Sequence, residues 1–353
     1  MVKRRIAFVV LILAFGFAWQ PLLRPALQAG VIVADIYSTV LFDRNAAALV
    51  TPSPRVSDTM QRFAGTDMRV SYWRPGWGDR HPAIMLANGA TTAGNDDPET
   101  RRLAEALARG GYLVMLPEFP FLKAARLQMG ATDQMDAAFA SLRALPETAG
   151  LRVGAFGFSI GGGVLLATAG RGGALAQADY LAALGAYYDL DTYLASVETL
   201  TQARGDRLEG WPADGVVREQ LPKAALLAFD DLGDRTALQD ALDAGTYDGV
   251  LVRLRGLPPR VRETFDQLSP RASWPALLPP VFWLHDANDH FEPIAEAEAA
   301  VAAPRAGPTT LTVSHLIAHA SPIGEDEAGG PLFWIGEIWT LIGFGLSVLR
   351  AGG

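Results

Sequence analysis

The stretch RVGAFGFSIGGG, residues 152–163, decides how the rest of the chain is read. An apolar, β-prone run passes into almost continuous glycine, with one hydroxyl, Ser159, at the point of change. Gly157-Phe158-Ser159-Ile160-Gly161 fits the pattern G-x-S-x-G. A serine on a cramped strand-to-helix turn leaves no room for Cβ atoms two residues before and after it, so glycine stands at both places. Such a turn lifts the hydroxyl off the carboxyl edge of a sheet. It also leaves the amide of Ile160 free at a helix N-terminus, where negative charge is favoured. The bare pattern is also compatible with a plain tight turn. What separates the two readings is a buried strand before Ser159 and an apolar helix after it.

The flanking sequence supplies that context. PAIMLANG (82–89), YLVMLPEF (112–119), RVGAFGFS (152–159) and YLAALGAYYDL (180–190) are continuous apolar runs, as expected of strands buried on both faces. Between them lie helical patterns. DPETRRLAEALARGG begins with a capping Asp97 and closes at Gly110; TDQMDAAFASLRAL (132–145) carries one apolar stripe. DMRVSYWRP, ended by Pro75 and Gly76, reads as a further strand. VFWLHDAND (281–289) and TTLTVSH (309–315) restore the strand pattern late in the chain, and an apolar helix ends it. The alternation predicts a mostly parallel sheet with helices on both faces. Residues 191–277 break the rhythm with charge and helix formers and no strand-like run. This is too long for a connection and reads as an inserted helical lid.

The expected organisation is a segment at 1–30, an extension or linker at 31–67, a first core part at 68–190, the lid at 191–277, and a second core part at 278–353. The first segment carries Lys3, Arg4 and Arg5 and then runs uncharged from Ile6 to Leu23. This length is marginal for a membrane helix. The basic flank suits a cytoplasmic N-terminus with export of the chain beyond Leu23. An uncleaved anchor with an extracytoplasmic catalytic domain is the expectation, and a cleaved secretory signal is the alternative. The net charge of −8 argues against a nucleic-acid partner. The chain has no cysteine, which excludes disulfides, thiolate metal sites and a cysteine nucleophile.

A serine nucleophile needs a base, and there are five histidines. His81 precedes a strand and lies at the wrong edge of the sheet. His285 sits inside a strand, and His290 belongs to the loop after it. His319, in HLIAHASP, follows the last strand and reaches the same edge as Ser159; His315 is the reserve. The orienting acid is sought in LHDANDHFEP. Asp289 is placed in the loop, Asp286 at the strand end, and Glu292 where a helix begins. Asp289 is the choice. The chain order Ser159, Asp289, His319 then differs from both protease orders. For an oxyanion, the amides of Ile160 and Ala90 are the candidate donors, the latter from the turn Asn88-Gly89-Ala90; Asn-Gly is equally ordinary turn chemistry.

These pieces together — LANGATTAGNDD, GFSIGGG, LHDANDHFEP and HLIAHASP — resemble the α/β-hydrolase superfamily, and within it dienelactone-hydrolase-like and acyl-esterase-like members. The resemblance covers roughly residues 68–350. It departs from the family at Asn88, where His-Gly is usual, and at Asp286, which replaces the glycine of H-G-x-x-D. Dienelactone hydrolases proper use a cysteine. The resemblance therefore implies the α/β-hydrolase fold and a serine hydrolase acting on small-molecule acyl esters, with no metal or organic cofactor. The alternatives are a thioesterase, lipase or peptidase of this fold, or a non-catalytic binding protein.

Overall fold

The computed structural model describes residues 25–39, 47–319, 321–322 and 329–352. Most of the expected N-terminal membrane segment lies outside the described residues. Ten strands matter for the site: β1 (Arg55–Phe63), β2 (Thr66–Arg74), β3 (Ala83–Ala87), β4 (Leu113–Pro117), β5 (Val153–Phe158), β6 (Leu181–Leu184), β7 (Thr201–Arg204), β8 (Arg207–Gly210), β9 (Val281–Asp286) and β10 (Thr309–Ser314). Eight of them form one sheet in the order β1-β2-β4-β3-β5-β6-β9-β10. From β4 to β10 all neighbours are parallel, while β1 and β2 run antiparallel at one edge.

The side-chain period of two sorts the central strands into two cores. Ile84, Leu86, Val114 and Leu116 face one layer, made with the helices at 25–39, Pro98–Arg109 and Pro331–Gly352. Ala83, Met85, Leu113 and Met115 face the other, made with Ala131–Arg143, Ser159–Gly170 and the lid. Each large side chain so buried contributes about 1.5–3 kcal/mol. Asp97 caps its helix as expected, its Oδ1 accepting from the Thr100 amide at 2.9 Å.

Two expectations are refined. The segment 31–67, expected as an extension or linker, holds most of a helix at 25–39 and the whole of β1. β1 reads RVSDTMQRF and is exposed along nearly its full length. As an edge strand it buries no face, so it carries no apolar alternation to read. The lid at 191–277 is helical apart from the hairpin β7–β8, whose short polar strands TQAR and RLEG also bury no continuous face.

The parallel strands share one carboxyl edge. β3 and β5 are neighbours, with Ala87 opposite Gly157, so Asn88-Gly89-Ala90 leaves the sheet beside Ser159. β9 ends at Asp286, one strand beyond β6, and β10 delivers the loop that carries His319. Ligands of open α/β sheets bind at this edge.

Candidate active site

Ser159 opens the helix Ser159–Gly170 with φ at +49°, a left-handed conformation that a serine adopts only under constraint. The constraint is visible at Gly161. A Cβ there would stand 1.9 Å from the carbonyl oxygen of Asn88, so helix and neighbouring strand meet backbone to backbone. The cramped strand-to-helix turn expected from GFSIGGG is therefore present. Gly89, Ala90, Ser159, Ile160 and His319 all line one cavity of about 230 Å³. Its remaining wall is largely apolar, with Phe121, Leu122, Phe158, Tyr193 and Leu221.

Asp289 sits on a tight turn of its own making. Its Oδ1 accepts from the amides of Phe291 (2.7 Å) and Glu292 (3.0 Å), which leaves Oδ2 for another partner. The lid holds this turn from outside. Trp211 Nε1 donates to the Asp289 carbonyl at 2.7 Å, and the Tyr193 hydroxyl donates to the Phe291 carbonyl at 2.8 Å. The partner of Oδ2 is His319 Nδ1, at 2.9 Å. The His319 ring stacks on Phe291, centroids 4.8 Å apart. Its backbone takes φ +55°, and its amide donates to Asp286 Oδ2 at 3.2 Å. Asp286 is thus a support for the histidine loop, and burial pushes its carboxyl up from the usual range despite two backbone donors.

Among the described residues, no other histidine lines this cavity. His315, the reserve, pairs with Glu337 at 3.1 Å. The acid that interrupts the last apolar helix is thereby turned toward Ser314 and His315. His285 is fully buried, with Nε2 3.1 Å from the Glu292 carbonyl. His81 lies against Gly78 before β3.

Glu292 is the residue that sequence reasoning assigns to an ordinary helix start. The helix begins later, at Ile294, and Glu292 is fully buried inside the site. Its Oε1 accepts a 2.5 Å hydrogen bond from Ser159 Oγ, and its Oε2 stands 3.0 Å from His319 Nδ1. Nδ1 thus lies between two carboxylates, Asp289 Oδ2 at 2.9 Å and Glu292 Oε2 at 3.0 Å, with the better-directed hydrogen bond going to Asp289. Among the described residues, no hydrogen bond joins Ser159 to His319. The available signal was the spacing Asp289-x-x-Glu292 on one turn, with Glu292 between Phe291 and Pro293.

The electrostatics follow from this packing. Burial alone would lower His319, but the carboxylates of Glu292 and Asp289 outweigh it and hold the imidazole well above its ordinary value. Burial would likewise raise Asp289, yet the His319 charge and hydrogen bond keep its carboxyl below the usual range. Donor atoms of Asp289, Glu292 and His319 lie within 4.8 Å of one another, a spacing compatible with a cation. The nitrogen involved is the one already bonded to Asp289, so a metal there would replace the proton that orients the ring.

No family model matches the sequence, and no curated protein matches it. Solved structures do match. Brefeldin A esterase, a bacterial homologue of human hormone-sensitive lipase, aligns at a TM-score of 0.52 with 17% identity, over 93% of this chain and 85% of that one. Carboxyl esterase 2 from Tuber melanosporum aligns at 0.52 with 14% identity, over 86% and 89%. A dienelactone hydrolase from Anabaena variabilis aligns at 0.47 with 13% identity, over 84% and 98%. The chain has the fold of the α/β-hydrolase superfamily.

Proposed function

We propose that this protein is a serine hydrolase that cleaves carboxylic esters through an acyl-enzyme intermediate. The observation that supports it most is the joining of Asp289 to His319 at 2.9 Å on the wall of the cavity that exposes Ser159. Ser159 attacks the ester carbonyl, and its Oγ–C bond forms as the carbonyl π pair moves to oxygen. The amides of Ile160 and Ala90 hold that oxygen, a contribution of several kcal/mol in sites of this kind. His319, its tautomer fixed by Asp289, takes the Oγ proton as base and passes it to the leaving alkoxide. Water then enters and releases the acyl group. The apolar wall suits the acyl chain, and a cavity below the roughly 300–1,000 Å³ of drug-sized pockets favours a small ester. The names of the aligned esterases are consistent with this chemistry.

We also propose that the N-terminal segment holds the catalytic domain at a membrane, on its extracytoplasmic side. Support comes from the uncharged run Ile6–Leu23 behind three basic residues. The helix at Leu332–Ala351 adds to it: mean hydropathy 1.7 over twenty residues, with Leu332, Ile335 and Trp339 exposed. A panel of p-nitrophenyl esters from acetate to palmitate, assayed on membrane and soluble fractions, tests both parts. Hydrolysis confined to acetate and butyrate and to the membrane fraction is expected. Turnover of none of them overturns the ester reading, and activity found only in the soluble fraction overturns the anchor.

A further inference from the structure

We propose that Glu292 is a catalytic residue, the first acceptor of the Ser159 proton, and that His319 serves the leaving group and the water. The inference rests on the serine-hydrolase reading above and changes its proton path.

Three observations carry it. First, the Ser159 hydroxyl is committed to Glu292 Oε1 at 2.5 Å, the length of a charge-assisted O–H···O⁻ bond. Second, the Glu292 backbone is anchored, its amide donating to Asp289 and its carbonyl facing His285 Nε2, and its side chain is fully buried. Third, Oε2 is fully buried beside the imidazole, 3.0 Å from Nδ1, whose better-directed hydrogen bond goes to Asp289. A buried carboxylate is costly unless a cation stands near it or it carries a proton for part of a cycle. The protonated His319 is that cation. A protonated imidazole has no lone pair for the serine proton, whereas Glu292 has several.

The steps balance. On attack, the Oγ–H bond breaks as Oε1–H forms, and the Oγ pair bonds the carbonyl carbon. Collapse of the oxyanion expels the alkoxide, which takes the Nε2 proton of His319. The site then holds an acyl-serine, a neutral Glu292 and a neutral His319. Water attacks the acyl carbon and gives its proton to His319. The second collapse expels Ser159 Oγ, which recovers its proton from Glu292, and the starting charges return. The titratable groups facing Glu292 are Asp289 and His285 on its own side, His319 from the loop after β10, Tyr187 after β6, and Tyr193 from the lid; burial, with the charge of Glu292 adding to it, raises both tyrosines far from neutrality.

The experiment compares wild type, Glu292→Gln and Glu292→Asp over pH 4 to 10. It reads kcat/KM for p-nitrophenyl acetate, the rate of fluorophosphonate labelling, and a thermal midpoint to establish folding. The proposal expects Glu292→Gln to lose about 100-fold or more in both rates at every pH, the usual scale for a general base. Glu292→Asp keeps the charge but draws it back from Oγ, so it is expected to lose about 10-fold and to keep the wild-type profile; this variant decides the matter should Glu292→Gln not fold. A different result overturns the proposal: near-wild-type rates at neutral pH in Glu292→Gln, with the acid limb moved to lower pH. That would make His319 the base and Glu292 only a charge that raises its basicity. A wild type that hydrolyses no ester and takes no label overturns the hydrolase reading itself, and the proton path with it.

Discussion

Asp289 and His319, thirty residues apart in sequence, meet at 2.9 Å through Oδ2 and Nδ1. The pairing needs both turns. Asp289 spends Oδ1 on two amides of its own loop, and His319 adopts positive φ with its amide on Asp286. Replacing Asp289 by Asn keeps the shape and removes the charge. We expect kcat to fall on the order of 10⁴-fold with KM little changed, as when a triad histidine loses its tautomer. Steady-state kinetics on p-nitrophenyl butyrate measures it, and a loss below tenfold would contradict the assigned role.

Asp286 touches the histidine loop from below, accepting from the amides of Asn288 (2.9 Å) and His319 (3.2 Å). Asp286→Ala is expected to lower kcat about tenfold and leave the label on Ser159. His315→Ala, whose imidazole is engaged with Glu337, is expected to leave both unchanged. Were His315→Ala the inactive variant of the two, the choice of base would be reversed.

Gly185, just past β6, has φ +50°, and a Cβ on it would come within 2.9 Å of His319 Nδ1 and 3.1 Å of Asp289 Oδ2. Gly185→Ala therefore combines backbone strain with a clash in the site. A loss of about 1 kcal/mol or more in urea unfolding is expected, with activity down at least tenfold. Wild-type kinetics in this variant would show that the pair tolerates displacement.

The same pair couples stability to pH. Asp289 is held below its ordinary value of 3.8, so its contribution is present above that pH and is lost as pH falls through the lower folded value. His319 is raised well above 6.5, so its contribution is complete below 6.5 and is lost as pH climbs through the raised value. The difference in thermal midpoint between wild type and His319→Gln is expected to be widest between about pH 4 and 6.5 and to shrink on either side. A difference that grows toward pH 9 would contradict the charge assignment.

Much of this was legible in the sequence because burial writes a pattern. IMLA in β3 and VMLP in β4 are apolar without a break since both faces are covered, and the helix caps follow from single side chains such as Asp97. Elements that bury no face left no pattern: β1 and the hairpin β7–β8 were invisible for that reason. Ser159, Asp289 and His319 were proposed from loop position and chain order, and the structure brings them to the same carboxyl edge. Glu292 was passed over. Its place beside Ser159 and His319 depends on a turn that folds it back, and an acid before Pro293 reads as ordinary helix-start chemistry.

Fluorophosphonate labelling with peptide mapping tests whether Ser159 is an activated nucleophile. One label is expected, on the peptide carrying Gly157–Gly161, absent from Ser159→Ala. No label on folded protein, or a label that survives Ser159→Ala, would contradict it.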